Sequence, residues 1–321
     1  MNVKFFNKMK NQDKSSKVEP KDAKGWFERG LAYSQDGNIK GAIEAFKKAL
    51  NLNPNDIEVW INLGLAYGIQ GNTDEEIKSY KKALDLNPSN AELWVNLGVA
   101  YGQDDNIEAE IDAYEKALKL NPNDADTLYN LGIALSKMED YEGAIDFFRK
   151  ALKISPNDSE VWNNLGIALG FLGNTEEGIN ALEKALELDP QNEIGWFNLG
   201  LVLLNDDQID KAINCFKKAI EIDPEFSNAF FGLGFAFENS NKLEEALKAY
   251  RAVINLEPDD VETWLHLSIV YHEKGESENA LNALEKAVSV DKELVLILDE
   301  DENLLEHLKN LPGFKEIINK Y

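Results

Sequence analysis

The chain has 321 residues, is 44% hydrophobic and carries a formal net charge of −25. That apolar content excludes a disordered chain, and a charge this negative repels phosphate, which excludes nucleic acid and anionic membranes as ready partners. The single cysteine, Cys215, excludes an internal disulfide and a zinc site built from several cysteines.

Residues 1–22 form a lysine-rich tail whose sizeable apolar side chains near its start are Val3, Phe5, Phe6 and Met9. Lysines interrupt that group too early for a secretory signal, and no stretch approaches the ~20 apolar residues of a membrane span. The expected location is the cytoplasm, by default, and the expected state of the tail is disorder.

A unit of 34 residues then repeats eight times, starting at Ala23, Ile57, Ala91, Ala125, Ser159, Glu193, Ser227 and Val261 and ending at residue 294. A large residue holds unit position 4 throughout: Trp26, Trp60, Trp94, Leu128, Trp162, Trp196, Phe230 and Trp264. Seven of nine prolines, from Pro54 to Pro258, share the same pitch. A fixed period of this length marks a stacked repeat array.

Each unit reads as a pair of helices. In the second, Trp60, Leu63, Gly64 and Tyr67 fall within roughly 100° of arc, the apolar stripe of helix A. Ala42, Phe46 and Ala49 mark helix B in the first. Between the helices stand Gly37, Gly71, Gly173, Gly275 and Asn241, residue types that suit a left-handed helix cap. The proline ends helix B, and Ser89 with Glu92 and Asn157 with Glu160 have capping-box spacing for the next helix A. Small residues at unit position 10, from Ala32 to Val270, mark the contact between neighbouring hairpins, and Gly64, Gly98, Gly132 and Gly166 at position 8 admit close helix approach. A lone hairpin leaves one apolar face bare, so the expected fold is an all-α solenoid with concave and convex surfaces.

The pattern W-x2-L-G-x2-Y, followed by A, F, A and P, resembles the tetratricopeptide repeat (TPR). The third unit reads Trp94, Leu97, Gly98, Tyr101, Tyr114, Ala117 and Pro122. Departures are Glu76, Glu110 and Gly178 where that family prefers Ala, and Lys292 in place of the last proline. The resemblance covers residues 23–294. It implies a right-handed superhelix of helix-turn-helix hairpins with helix A lining the inner groove, and a helical cap over residues 295–321. It also implies a non-catalytic interaction scaffold.

On the helix wheel, positions 2, 5, 6, 9, 12 and 13 oppose the buried stripe and are expected to line the groove. Position 6 is Asn62, Asn96, Asn130, Asn164 and Asn198 in five successive units, then Gly232 and His266. An amide both donates and accepts, so such a ladder can pair with an extended peptide backbone, or else bond its own helix. Apolar residues surround it: Ile61, Val95, Tyr129, Phe197 and Phe231 at position 5, and Leu65, Val99, Ile133, Ile167, Leu201 and Phe235 at position 9. An apolar lining of this extent marks a binding surface, with part of each side chain taken by helix packing. Glu58, Glu92, Asp126 and Glu160 give the rim an acidic edge, which also complements the helix dipoles.

These residues point to an apolar or basic extended peptide as the partner. Chaperone-tail TPR domains hold a carboxylate with fixed cations, and no Lys or Arg stands at positions 5, 6 or 9 here, so such a clamp is not expected. Alternatives are self-assembly through the tail and an accessory role that presents substrate to an enzyme acting in trans. No catalytic site, cofactor or metal is expected. His266 and His272 lie about 120° apart on one helix, away from the i, i+4 spacing of metal pairs. Cys215 holds a slot occupied elsewhere by Ala45, Ala113, Ala181 and Ala249 and reads as packing. Asp299, Glu300, Asp301 and Glu302 lack the glycine of a calcium loop.

Overall fold

The computed structural model describes residues 19–294, 308, 311 and 313–320. Most of the tail, and the acidic run at 299–302, lie outside them. The described residues form helices joined by short turns, with no strand among them. The chain divides after Pro156 into two compact units.

Unit 1 holds α1 (Ala23–Gln35), α2 (Ile39–Leu52), α3 (Ile57–Gln70), α4 (Thr73–Leu86), α5 (Ala91–Gln103), α6 (Ile107–Leu120), α7 (Ala125–Lys137) and α8 (Tyr141–Ile154). Unit 2 holds α9 (Ser159–Phe171), α10 (Thr175–Leu188), α11 (Glu193–Asn205), α12 (Ile209–Ile222), α13 (Ser227–Asn239), α14 (Leu243–Leu256), α15 (Val261–Glu273), α16 (Ser277–Val290) and α17 (Phe314–Lys320). Odd helices from α1 to α15 are the A helices and each packs on the B helix that follows. Within each unit the B helix also packs on the next A helix, as α2 does on α3 and α12 on α13.

Two local rules start and stop these helices. The residue before helix A caps it: Asp56 accepts from the Val59 amide at 3.3 Å and Asp260 from that of Thr263 at 3.1 Å. The cap falls one residue later than the capping-box spacing suggests. Asn90 and Asp158, in place of Ser89 and Asn157, accept the amides of Leu93 and Val161, because the proline turn uses up the preceding residues. At unit position 15 the backbone is left-handed in every repeat, through Gly37, Gly71, Asp105, Glu139, Gly173, Asp207, Asn241 and Gly275. Glycine adopts that conformation without strain, whereas Asp105, Glu139 and Asp207 accept a Cβ penalty there.

Tertiary packing is set by unit position 24, whose side chain is buried in all eight repeats: Phe46, Tyr80, Tyr114, Phe148, Leu182, Phe216, Tyr250 and Leu284. It lies against the glycine at position 8 of its own helix A. A Cβ on Gly132 would come within 2.5 Å of the Phe148 ring. In the eighth repeat Ser268 replaces that glycine, and its hydroxyl donates to the Ala280 carbonyl at 2.8 Å. Tryptophan fastens one repeat to the next: the indole N–H of Trp60, Trp94, Trp196 and Trp264 donates to the carbonyl of Pro54, Pro88, Pro190 and Pro258 at 2.8–3.0 Å. This joins the two strongest sequence signals in one bond.

The ends of the array differ. Position 10 is exposed in the first repeat, at Ala32, but fully buried at Ala100, Ala134 and Ala236, where a preceding helix B covers it. Pro20 and Asp22 continue the register of the prolines and caps one step back, which the seven-proline pattern leaves out. At the other end α17 packs on α16, and Leu308, Leu311, Phe314 and Ile317 join the core of unit 2.

Candidate functional site

The A helices of unit 1 carry the first three groove asparagines, each half-buried, and they are not equivalent. Asn62 turns its amide back onto its own helix and donates to the Glu58 carbonyl at 2.8 Å. Asn96 and Asn130 form no side-chain hydrogen bond among the described residues. Beside them Leu65 and Val99 are 38% and 41% exposed, and Ile61, Val95, Tyr129 and Ile133 are half-buried. Tyr129 tilts against Phe148 at 6.0 Å, so its ring is held by the core. Glu58, Glu92 and Asp126 are exposed in the first turns of their helices.

In unit 2 the polar groups pair with one another. Asn164 donates to the Glu160 carbonyl at 2.9 Å. Asn198 donates to the side-chain oxygen of Asn163 at 3.1 Å, and Asn163 is buried. Leu201 remains 42% exposed, whereas Ile167, Phe197, Phe231 and Phe235 are half-buried. Phe197 meets Phe226 edge-on at 5.3 Å. The lining closes at the eighth repeat, where Leu265 and Ile269 are buried in a cluster that includes Leu308 and Leu311. Exposure along positions 5 and 9 is therefore uneven rather than uniform.

Buried carboxyls are what the sequence reading missed. Glu76 and Glu110, two of the three departures from Ala at unit position 20, are buried beside the hydroxyls of Tyr80 and Tyr114. Gly68 and Gly102 make room: a Cβ on Gly68 would lie 2.7 Å from the Glu76 carboxyl. Burial pushes both carboxyls up, opposed by the nearby Tyr80 hydroxyl at Glu76 and by the Lys137 charge at Glu110. Among the described residues Oε2 of each forms no hydrogen bond, and that of Glu110 lies 3.7 Å from the Lys137 ammonium.

In the seventh repeat the carboxyl comes from helix A. Glu238 Oε2 accepts from the Tyr250 hydroxyl at 2.6 Å and lies 3.0 Å from His266 Nδ1. The Phe231 and Phe235 rings meet His266 edge-on at 5.3 Å and 5.7 Å, and Tyr250 stacks on it at 5.4 Å. His266, at the same register two repeats after the last of the asparagines, is thus enclosed by aromatic rings and a carboxylate. The rule behind both arrangements was open to reading: tyrosine stands at position 24 in three repeats, and each of the three has Glu at position 20 or 12. A buried hydroxyl needs an acceptor. Cys215 is buried in α12, and burial, with the Glu183 charge second, pushes its thiol up to about 11.

No helix among the described residues is long and apolar enough to cross a membrane. Residues 104–303 match the family model of the cilia and flagella-associated protein 70 C-terminal domain, and residues 30–71 and 69–105 match the TPR repeat model. No protein of curated function matches the chain in sequence. Among solved structures, the MamA protein is 31% identical over 53% of this chain and 92% of its own, with a TM-score of 0.51. YrrB, described as a TPR protein with an unusual peptide-binding site, is 28% identical over 59% of this chain and 97% of its own, with a TM-score of 0.52. A TPR protein from Parabacteroides merdae shares the fold at 18% identity, covering 83% of this chain and 98% of its own, with a TM-score of 0.61. The period, the helix pairs and these likenesses agree: the chain belongs to the tetratricopeptide repeat family and is a protein-interaction scaffold of that type.

Proposed function

We propose that the inner faces of α3, α5 and α7 hold an extended segment of a partner protein. The observation that carries this reading is the pair of amides, Asn96 and Asn130, that form no side-chain hydrogen bond among the described residues and stand at the same position of successive A helices. Each can offer a donor and an acceptor to a peptide backbone. Leu65 and Val99 beside them can bury apolar side chains, worth about 1.5–3 kcal/mol for each one fully covered. The acidic edge of Glu58, Glu92 and Asp126 selects for basic flanks. The peptide-binding description of YrrB agrees with this use of such an array.

The test is a peptide array of apolar and basic sequences probed with the full chain. Asn96→Ala with Asn130→Ala should weaken the best ligand about tenfold or more, at about 1 kcal/mol for each lost hydrogen bond. Asn62→Ala with Asn164→Ala should change it little, since those amides already bond their own helices. Equal effects from the two pairs would remove the reading.

A further inference from the structure

A second surface of unit 1 gathers lysines rather than the acids of the groove edge. Helix α4 carries Lys78, Lys81 and Lys82 at unit positions 22, 25 and 26, whereas every other B helix has at most two cations at those positions. Lys78 faces Lys81 at i+3 and Lys82 at i+4, and like charges at these spacings destabilise a helix. Pairs with Glu75 and Asp85 on the same helix offset this repulsion at Lys78 and Lys82, and leave Lys81 without a carboxylate among the described residues.

The three lysines border a cleft of about 470 Å³ between α4 and α6, to which α6 adds Lys116. The floor of the cleft is aromatic. Lys116 Nζ lies 4.6 Å from the centre of the Trp94 ring, and Lys81 Nζ 5.2 Å from that of Tyr101. The Trp94 indole is fixed by its bond to the Pro88 carbonyl. Two carboxylates line the cleft, and both are engaged: Asp112 with Lys116 at 2.6 Å and Asp85 with Lys82 at 3.8 Å. Lys78 is bound by Glu75 at 2.7 Å, and Lys81 has no carboxylate partner among the described residues.

Such lysine-on-ring contacts recur elsewhere, as Lys47 on Tyr67 and Lys217 on Phe237, so the contact alone is packing. What is particular to this cleft is four ammonium groups converging from two helices on a ring-floored hollow. We propose that it binds an acidic segment of a partner protein, with carboxylates on the lysines and an apolar side chain on Trp94 and Tyr101. Charge complementarity selects this occupant. Four lysines against Asp85 and Asp112 leave the lining with a net charge of +2. At physiological salt the screening length of about 8 Å weakens the acids farther away, so a short run of carboxylates gains most on Lys81, which has no carboxylate partner among the described residues. A nucleic acid strand extends its charge past the cleft and meets the rest of an acidic protein.

The probe is a fluorescein-labelled peptide alternating Glu or Asp with Leu, titrated with the full chain and followed by anisotropy. Binding at low salt is expected, with a loss of about tenfold or more in the Lys78→Glu, Lys81→Glu, Lys82→Glu variant. Lys→Gln at the same three positions should give a smaller loss, and both residue types keep helix propensity. Asn96→Ala with Asn130→Ala should leave this binding unchanged, which separates the cleft from the groove. Absence of binding at low salt, an unchanged affinity in the Glu variant, or tighter binding of single-stranded RNA of equal length would overturn the proposal.

Discussion

The second and third repeats and the seventh all bury a tyrosine at the same position, and its carboxyl neighbour comes from opposite helices. In the second and third, Glu76 and Glu110 rise from helix B and lie over Gly68 and Gly102 of helix A. One oxygen of Glu76 forms no hydrogen bond among the described residues, whereas Glu110 Oε2 lies 3.7 Å from the Lys137 ammonium. The amides of Asn96 in the third repeat and Asn130 in the fourth form no side-chain hydrogen bond among the described residues. In the seventh, Glu238 descends from helix A, Ala246 fills the helix B slot, and the carboxylate also engages His266. The polar groups there are consumed by one another and by the rings of Phe231 and Phe235. The difference teaches that a buried tyrosine can draw its carboxyl neighbour from either helix of the hairpin, and that this carboxyl can also reach the next helix A, as at Lys137 and His266.

The largest expected effect tests the closed region. Glu238→Ala strands the Tyr250 hydroxyl and the His266 imidazole, at about 1–3 kcal/mol for each unsatisfied group. Urea unfolding should show a loss of about 3 kcal/mol; a smaller loss than that of Glu76→Ala would break the comparison. Next is Gly68→Ala, whose Cβ meets the Glu76 carboxyl, at about 1–3 kcal/mol of overpacking. Adding Glu76→Ala should restore most of it, and a double-mutant cycle without coupling would show that the two do not share the space.

The open region has its own pH signature. Because burial raises the carboxyls of Glu76 and Glu110, their ionisation opposes folding at any pH above their folded-state values. That penalty lessens as pH falls through those values and is gone below the unfolded ones. The Glu76→Gln, Glu110→Gln variant should therefore exceed the parent in stability near neutral pH, with the gap narrowing toward acid. A gap that widens on acidification would reverse the assignment.

The smallest effects sharpen the comparison at the helix stops. Asp105→Gly in the third repeat should gain about 1 kcal/mol by relieving a left-handed non-glycine residue. Asn241→Gly in the seventh should gain less, since Asn tolerates that conformation better. Melting temperatures would rank the two.

Period, helix pairing and core were readable from residues alone, because one 34-residue phrase states the same packing eight times and Trp60, Pro54 and Gly64 each have one physical use. The groove was readable only as a face. Nothing in the letters separates Asn62, whose amide bonds its own carbonyl, from Asn96, whose amide does not. Leu65 and Ile269 hold the same register, yet one is open and the other buried by the end of the array. Local sequence determined the helices, their caps and the stripe each must bury, since these depend on neighbours three or four residues away. Tertiary structure decided which polar groups find partners and which apolar ones stay uncovered, since those depend on side chains a full repeat away, where small differences in reach settle whether a bond forms.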